Sequence, residues 1–197
     1  MDISVVIPLY NEEESLPELF SWIERVMEAN GFSHEVIFVN VGSTDRSWQV
    51  IEELKQQHPD VVKGIKFRRN YGKSPALYCG FQKAEGDVVI TMDADLQDPP
   101  ELVDQMLVYW EEGYDDIYAK RRSRGEESWM RRKLSLAFYK LLQKMSRIDI
   151  LPNVGDFRLL DRRCILTLRK LREHERYTKG LFCWIGRKAS SSTAATA

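Results

Sequence analysis

The sequence is poor in the residues that build stapled or metal-clamped folds: its 197 positions hold 3 cysteines and 3 histidines. Cys79, Cys164 and Cys183 are odd in number and lack paired spacing, which excludes a disulfide framework and a cysteine zinc site and suits a reducing compartment. His34, His58 and His174 are scattered through polar surroundings and read as surface residues. An excess of one charge is missing too. With 29 Lys and Arg against 30 Asp and Glu, the formal charge is −1, so no global field recruits nucleic acid. No apolar run reaches the roughly 18 residues that a membrane-spanning helix needs. No basic, apolar leader is read before the first strand-like run. Internal repeats and interdomain linkers are also lacking, so a single domain over 1–187 is expected. The Ser-, Thr- and Ala-rich residues 188–197 have no periodicity and read as a disordered or junction-derived tail.

What is present is alternation of two kinds of segment. The runs SVVIPL at 4–9, EVIFVNV at 35–41, VVKGIKF at 61–67 and DVVITM at 87–92 are mostly apolar and β-branched, the mark of strands buried on both faces. Between them lie helical stripes. Leu16, Leu19, Phe20, Ile23, Val26 and Met27 form one over 12–29. Trp48, Ile51 and Leu54 form another over 45–57, with Thr44 or Asp45 as its cap, and a short helix is expected over 74–83. Strands alternating with helices predict βαβ units. The expected fold class is therefore α/β, a mostly parallel Rossmann-like sheet with helices on both faces. Beyond Pro99 and Pro100 the pattern predicts a helix over 101–112, a strand over 114–120, a helix over 126–147, a strand over 157–160 and a short helix ending at 171.

Polar residues gather at the strand ends. DADLQD at 93–98 directly follows the fourth strand, at the carboxyl edge where open α/β sheets bind ligands. Asp93 and Asp95, one residue apart in extended chain, can point the same way. Their oxygens, with Gln97, suit Mg²⁺ or Mn²⁺ with a diphosphate completing the shell. Taken alone, an Asp-x-Asp triplet also suits a turn and a helix cap, and Asp98 before Pro99 reads as a cap. The first strand ends in PLYNE at 8–12 and the second in NVGSTD at 40–45, so three strand ends present groups fit for a base, a ribose and a diphosphate.

The motifs VVIPLYNEE, FVNVGSTD, RRNYGKSPAL, TMDADLQDPP and GDFRL, in this order over about residues 2–187, resemble the GT-A glycosyltransferases of family 2. The branch most resembled contains dolichyl-phosphate mannose synthase and bacterial polyprenyl-phosphate glycosyltransferases. The resemblance implies a GT-A fold and an inverting transfer from a UDP- or GDP-sugar to a polyprenyl phosphate. It implies that Pro8, Tyr10 and Glu12 line the base and ribose pocket, joined by Asn40, Val41, Ser43 and Asp45. Asp93, Asp95 and Gln97 would hold the Mg²⁺ or Mn²⁺ and the diphosphate, and Lys73 would reach the donor phosphates. Asp156 would lie beside the reacting sugar, making Asp95 and Asp156 the catalytic candidates. One position departs from the family. Val41 stands where an acidic residue usually contacts the base, a loss of about 1.5–3 kcal/mol and roughly tenfold or more in donor affinity. A natural variant with altered base recognition and a residue changed from the natural one both remain open.

The segment KRRSR at 120–124 precedes an amphipathic pattern in which Met130, Leu134, Ala137, Phe138, Leu141 and Met145 share a face. Such a helix either packs on the sheet or rests at a membrane surface. The resemblance implies that Arg121, Arg131 and Ser135 hold the lipid phosphate, as forked guanidinium donors do well, and that Arg158 supports that loop or the acceptor. The expected setting is the cytoplasmic side of a membrane, with the chain a soluble catalytic fragment and homo-oligomerisation left open. A phosphate acceptor needs no strong base. A saccharide hydroxyl would, and Asp156 is then the candidate. A non-catalytic nucleotide-sugar binder, suggested by Val41, is the remaining alternative. A phosphoryl-transfer enzyme is disfavoured because its aspartate would follow the first strand, where Leu9, Tyr10 and Asn11 stand.

Overall fold

The apolar runs form strands and the striped segments form helices. The computed structural model describes residues 1–97, 101–121, 154–170 and 189–194. The order is β1 (Ile3–Leu9), α1 (Leu16–Asn30), β2 (His34–Asn40), α2 (Ser47–Gln57), β3 (Val62–Lys66), α3 (Lys73–Lys83), β4 (Val88–Thr91), α4 (Glu101–Glu111), β5 (Asp116–Arg121), β6 (Val154–Asp161), α5 (Arg162–Lys170) and β7 (Ala189–Ala194). One sheet runs β3-β2-β1-β4-β6-β5-β7. The first four of these strands are mutually parallel, and β6 is antiparallel to both its neighbours. This is the expected α/β architecture, mostly parallel and covered on both faces.

Side-chain alternation along β1 divides the core. Ile3, Val5, Ile7 and Leu9 join Leu16, Leu19 and Ile23 of α1, Ile51 of α2 and Met106 of α4. Val6 joins Ala76, Leu77 and Phe81 of α3 and Ile165 and Leu168 of α5 on the opposite face. Each fully buried Val, Leu, Ile, Phe or Met among them contributes about 1.5–3 kcal/mol relative to exposure. On this second face the packing of α3 is very close, since a Cβ at Gly80 would overlap the Val6 side chain.

The amino ends of the strands carry a polar network centred on the buried Glu35. Ser4 Oγ and the Glu85 N–H each donate to Glu35 Oε1 at 2.6 Å, and the Gly86 N–H donates to Ser4 Oγ at 2.8 Å. Lys63 Nζ pairs with Glu35 Oε2 at 2.6 Å and with Glu85 Oε1 at 3.2 Å. Burial pushes the Glu35 carboxyl up, but the Lys63 ammonium, the Ser4 hydroxyl and the Glu85 N–H outweigh it and hold the group below its ordinary value.

Several boundaries differ from the sequence reading for physical reasons. Helix α1 starts at Leu16 rather than at residue 12, because the turn before it is tied to α2: the Glu12 N–H donates to Ser47 Oγ at 2.9 Å. The last strand before α5 spans Val154–Asp161 and runs antiparallel, with Thr91 opposite Arg158. Within the segment expected as a tail, Ala189–Ala194 instead pair in parallel with β5. The expected helix over 126–147, and the aromatic-rich stretch at 176–186, lie outside the described residues. Among the described residues, no helix is long and apolar enough to cross a membrane.

Candidate active site at the carboxyl edge of the sheet

In chain order β1 is followed by β2 on one side, while β4 lies on its other side, so the winding reverses between β1 and β4. Such a switch point leaves a crevice beyond the carboxyl ends of the strands. The β1 and β2 ends are laced together there. The Asn11 N–H donates to Ser43 Oγ at 2.9 Å, and Asn11 Oδ1 accepts from the Thr44 N–H at 2.9 Å. Asn11 has φ +56°, a left-handed conformation that asparagine tolerates better than most residues. Asn40, fully buried at the end of β2, accepts the Gly42 and Ser43 N–H groups on Oδ1 at 2.9 and 2.7 Å. Its Nδ2 has no hydrogen-bond partner. Gly42 has φ +90°, and a Cβ there would sit 3.1 Å from the Arg69 carbonyl carbon. Only glycine fits both demands.

Asp45 works on the same lacing. Its carboxylate accepts the Ser47 hydroxyl at 2.6 Å, the Ser47 N–H at 3.0 Å and the Glu13 N–H at 3.2 Å. Burial pushes this carboxyl up, but the Ser47 and Glu13 bonds hold it below its ordinary value. The N-cap of α2 is Arg46 rather than the expected Thr44 or Asp45, and Asp45 instead ties the first residue of the helix, Ser47, to the turn after β1. Pro8 is buried in β1 opposite Val39. Tyr10 is 45% exposed at the rim. Glu12 accepts the Ser15 hydroxyl on Oε2 at 2.9 Å. Val41 is buried in the apolar cluster that contains Ala76 and Leu77 of α3.

The acidic turn leaves β4 between the two halves. Lys73, the first residue of α3, forms an ion pair with Asp93, and both side chains stay about a third exposed. Ala94 is buried, Asp95 is exposed and accepts the Gln97 N–H on Oδ1 at 3.2 Å, and Leu96 takes φ +56°. A left-handed leucine is a strained conformation of a kind concentrated at functional sites. Asp93 and Leu96 also line a cavity of about 190 Å³ with Met92 and with Glu18, Leu19, Trp22 and Arg25 of α1.

As a donor set, Asp93, Asp95 and Gln97 offer hard oxygens. Among the described residues, no group of three or more His, Cys, Asp and Glu gathers around one point. In chemistry, two carboxylates and an amide suit Mg²⁺ or Mn²⁺ rather than zinc, and phosphate oxygens would have to complete the shell.

The antiparallel pairing of β6 with β4 brings the amino-terminal end of β6, with Asp156, to this same edge. Strand β5 ends there as well, at Arg121, with Lys120 opposite Val154. Arg131 and Ser135 lie outside the described residues. Arg158 is buried, pairs with Asp116 Oδ2 at 2.6 Å and lies 5.3 Å from the Tyr118 ring centroid. Its guanidinium thus holds β6 to β5. Burial pushes the Asp116 carboxyl up, against the opposing pull of Arg158. Asn11 lies in the polar PLYNE end expected to face a ligand, whereas Asp116 belongs to no motif marked in the sequence. A charged residue opening an apolar strand was the available sign for the latter.

The sequence model described as Glycosyl transferase family 2 matches residues 4–168. The chain belongs to glycosyl transferase family 2. An uncharacterised glycosyltransferase of Synechocystis sp. is 42% identical over 186 residues, covering 94% of this chain and 58% of that protein. A bactoprenol glucosyl transferase of Shigella phage SfV is 39% identical over 186 residues, covering 94% of this chain and 60% of its own length. The family 2 chain thus spans about three-fifths of the curated relatives it matches. Among solved structures, a mannosyltransferase from Pyrobaculum calidifontis in complex with GDP-Man and Mn²⁺ has TM-score 0.68 at 18% identity, covering 97% of this chain and 54% of that one. Glucosyl-3-phosphoglycerate synthase of Mycobacterium tuberculosis in complex with Mn²⁺, UDP-glucose and phosphoglyceric acid has TM-score 0.58 at 22% identity, covering 83% of this chain and 57% of that one. These likenesses establish the GT-A fold.

Proposed function

We propose that this family 2 chain is the catalytic part of an inverting glycosyltransferase that moves a sugar from a UDP- or GDP-sugar to a polyprenyl phosphate at the cytoplasmic face of a membrane. The observation that carries the reading is the β4 carboxyl end at the switch point of the sheet, where Lys73 pairs with Asp93 and the exposed Asp95 lies two residues on in the same turn. The acceptor rests on the relatives named bactoprenol glucosyl transferases and on the basic segment after β5.

The laced turns of β1 and β2 form a rigid floor for base and ribose, with Tyr10 at the rim and Asn40, Ser43 and Asp45 fixing the backbone that meets the ligand. Lys73 contributes a cation for the diphosphate. Asp93, Asp95 and Gln97 would hold a divalent ion, which when bound would neutralise charge on the leaving nucleoside diphosphate as a Lewis acid. Asp156, from β6, stands at the edge where the sugar would lie. Arg121, with Arg131 and Ser135, orients the acceptor phosphate, which is already ionised at neutral pH. Catalysis then rests mainly on positioning and charge stabilisation.

The test uses the full-length protein in vesicles containing undecaprenyl phosphate, with labelled UDP- and GDP-sugars and Mn²⁺. Metal-dependent label in the lipid phase from one donor is expected. Donor binding with no transfer to lipid, or transfer only to a free saccharide, would overturn the acceptor assignment. Asp156→Asn sharpens it: a phosphate acceptor predicts retained turnover at reduced rate, a hydroxyl acceptor predicts abolition with donor binding intact.

A further inference from the structure

We infer that Lys73 is a resident counter-ion that occupies Asp93 until a nucleoside diphosphate draws it away, so that cation and donor enter the site together. This rests on the reading of Asp93 and Asp95 as cation ligands. The ammonium of Lys73 sits on Asp93, the carboxylate that a divalent ion would share with Asp95. An ion arriving alone finds Asp93 already paired with an ammonium, whose positive charge repels it. It also meets the amino end of α3, whose Gly72 N-cap makes no side-chain cap bond and whose dipole is positive. Both features disfavour a bare cation and favour an anion.

A diphosphate reverses the balance. It is a stronger partner for Lys73 than one carboxylate, and a lysine on its four-carbon stem swings easily from one oxygen to another. The side chains of Lys73 and Asp93, 35% and 36% exposed, leave room for that exchange. Once Lys73 moves to the phosphates, Asp93 is released to the cation, which the same phosphates also coordinate. Binding linkage requires reciprocity: the factor by which diphosphate tightens metal binding equals the factor by which metal tightens diphosphate binding. In this arrangement part of that factor belongs to Lys73.

Calorimetric titration of the 197-residue chain with MnCl₂ alone, and again with saturating UDP or GDP, tests the idea beside Lys73→Met and Lys73→Gln. Thermal unfolding of each variant checks its fold. Both variants are expected to bind Mn²⁺ alone about tenfold more tightly than the wild type, the scale of repulsion between a single and a double charge at near contact. Their nucleotide-to-metal coupling is expected to shrink by a similar factor. Lys73→Arg, which keeps the charge, should behave as wild type toward Mn²⁺ alone. If the neutral variants bind Mn²⁺ alone no better than wild type while nucleotide still tightens it, the counter-ion role falls and the metal site stands. If wild type takes up no Mn²⁺ with either nucleotide, the metal site itself falls, and the counter-ion role with it.

Discussion

At the amino ends of β1, β2 and β4, Glu35 is fully buried between Ser4, Lys63 and the Glu85 N–H. At the carboxyl ends, Lys73 and Asp93 are also paired, yet both stay about a third exposed, Asp95 is exposed, and the buried amide nitrogen of Asn40 has no partner. Both edges carry charge of both signs, and composition does not separate them. The difference lies in closure. A fully buried carboxylate, bonded at Oε1 by Ser4 and the Glu85 N–H and ion-paired at Oε2 with Lys63, stabilises the sheet and is out of a ligand's reach. Exposed carboxylates at a crevice retain capacity for a cation and its phosphates.

The sharpest way to break this comparison is Asp95→Asn. It should lower transfer by about 10²–10³-fold, the scale of removing one group that stabilises transition-state charge, while moving stability by less than about 0.5 kcal/mol. Denaturant melts beside the vesicle assay check both. A large stability loss would place Asp95 with the closed edge. Asp116→Ala, which removes the ion-pair partner of the buried Arg158 guanidinium, should destabilise by about 3 kcal/mol in the same melts. An unchanged midpoint would show Arg158 to be available for the acceptor after all.

Glu35→Gln should cost about 2 kcal/mol near neutral pH and leave nucleotide affinity unchanged. Its pH signature follows from the direction of the shift. The folded Glu35 carboxyl is held below its ordinary value of 4.5, so its contribution is present above that pH and is lost as pH falls through the lower folded value. Denaturant midpoints of the wild type should therefore drop below about pH 4.5, and the drop should be shallower in the variant. Asp45 has the same direction and adds to the wild-type slope. The smallest effect is expected from Gly42→Ala, about 1–2 kcal/mol for a side chain at φ +90° pressed against the Arg69 backbone. Nucleotide affinity should fall with it, since the displaced loop belongs to the open edge.

The parallel half of the sheet was legible because its information is local. Val36, Ile37, Phe38 and Val39 are apolar in succession, as a strand buried on both faces requires, and the polar ends of β1, β2 and β4 marked the crevice. The place of β6 between β4 and β5 was not, because nothing in the period of GDFRL says that Arg158 will stand opposite Thr91 on one side and Tyr118 on the other. The same holds for pairs distant in sequence. Lys73 was expected near phosphates, but its partner Asp93 is 20 positions away, and Arg158 and Asp116 are 42 apart. Side-chain partners of that kind are set by how helices seat on the sheet.

Gly80 shows how that seating reaches the crevice. Lys73 stands two helical turns before it, about 10 Å along α3, on a rod whose height above β1 is fixed by the missing methyl group. Any larger residue at position 80 would act as a shim, lifting the helix off Val6 and carrying the lysine's root with it. A substitution remote from every ligand would then mistune the spacing between ammonium and acidic turn, and the damage would register first as altered metal–nucleotide cooperativity.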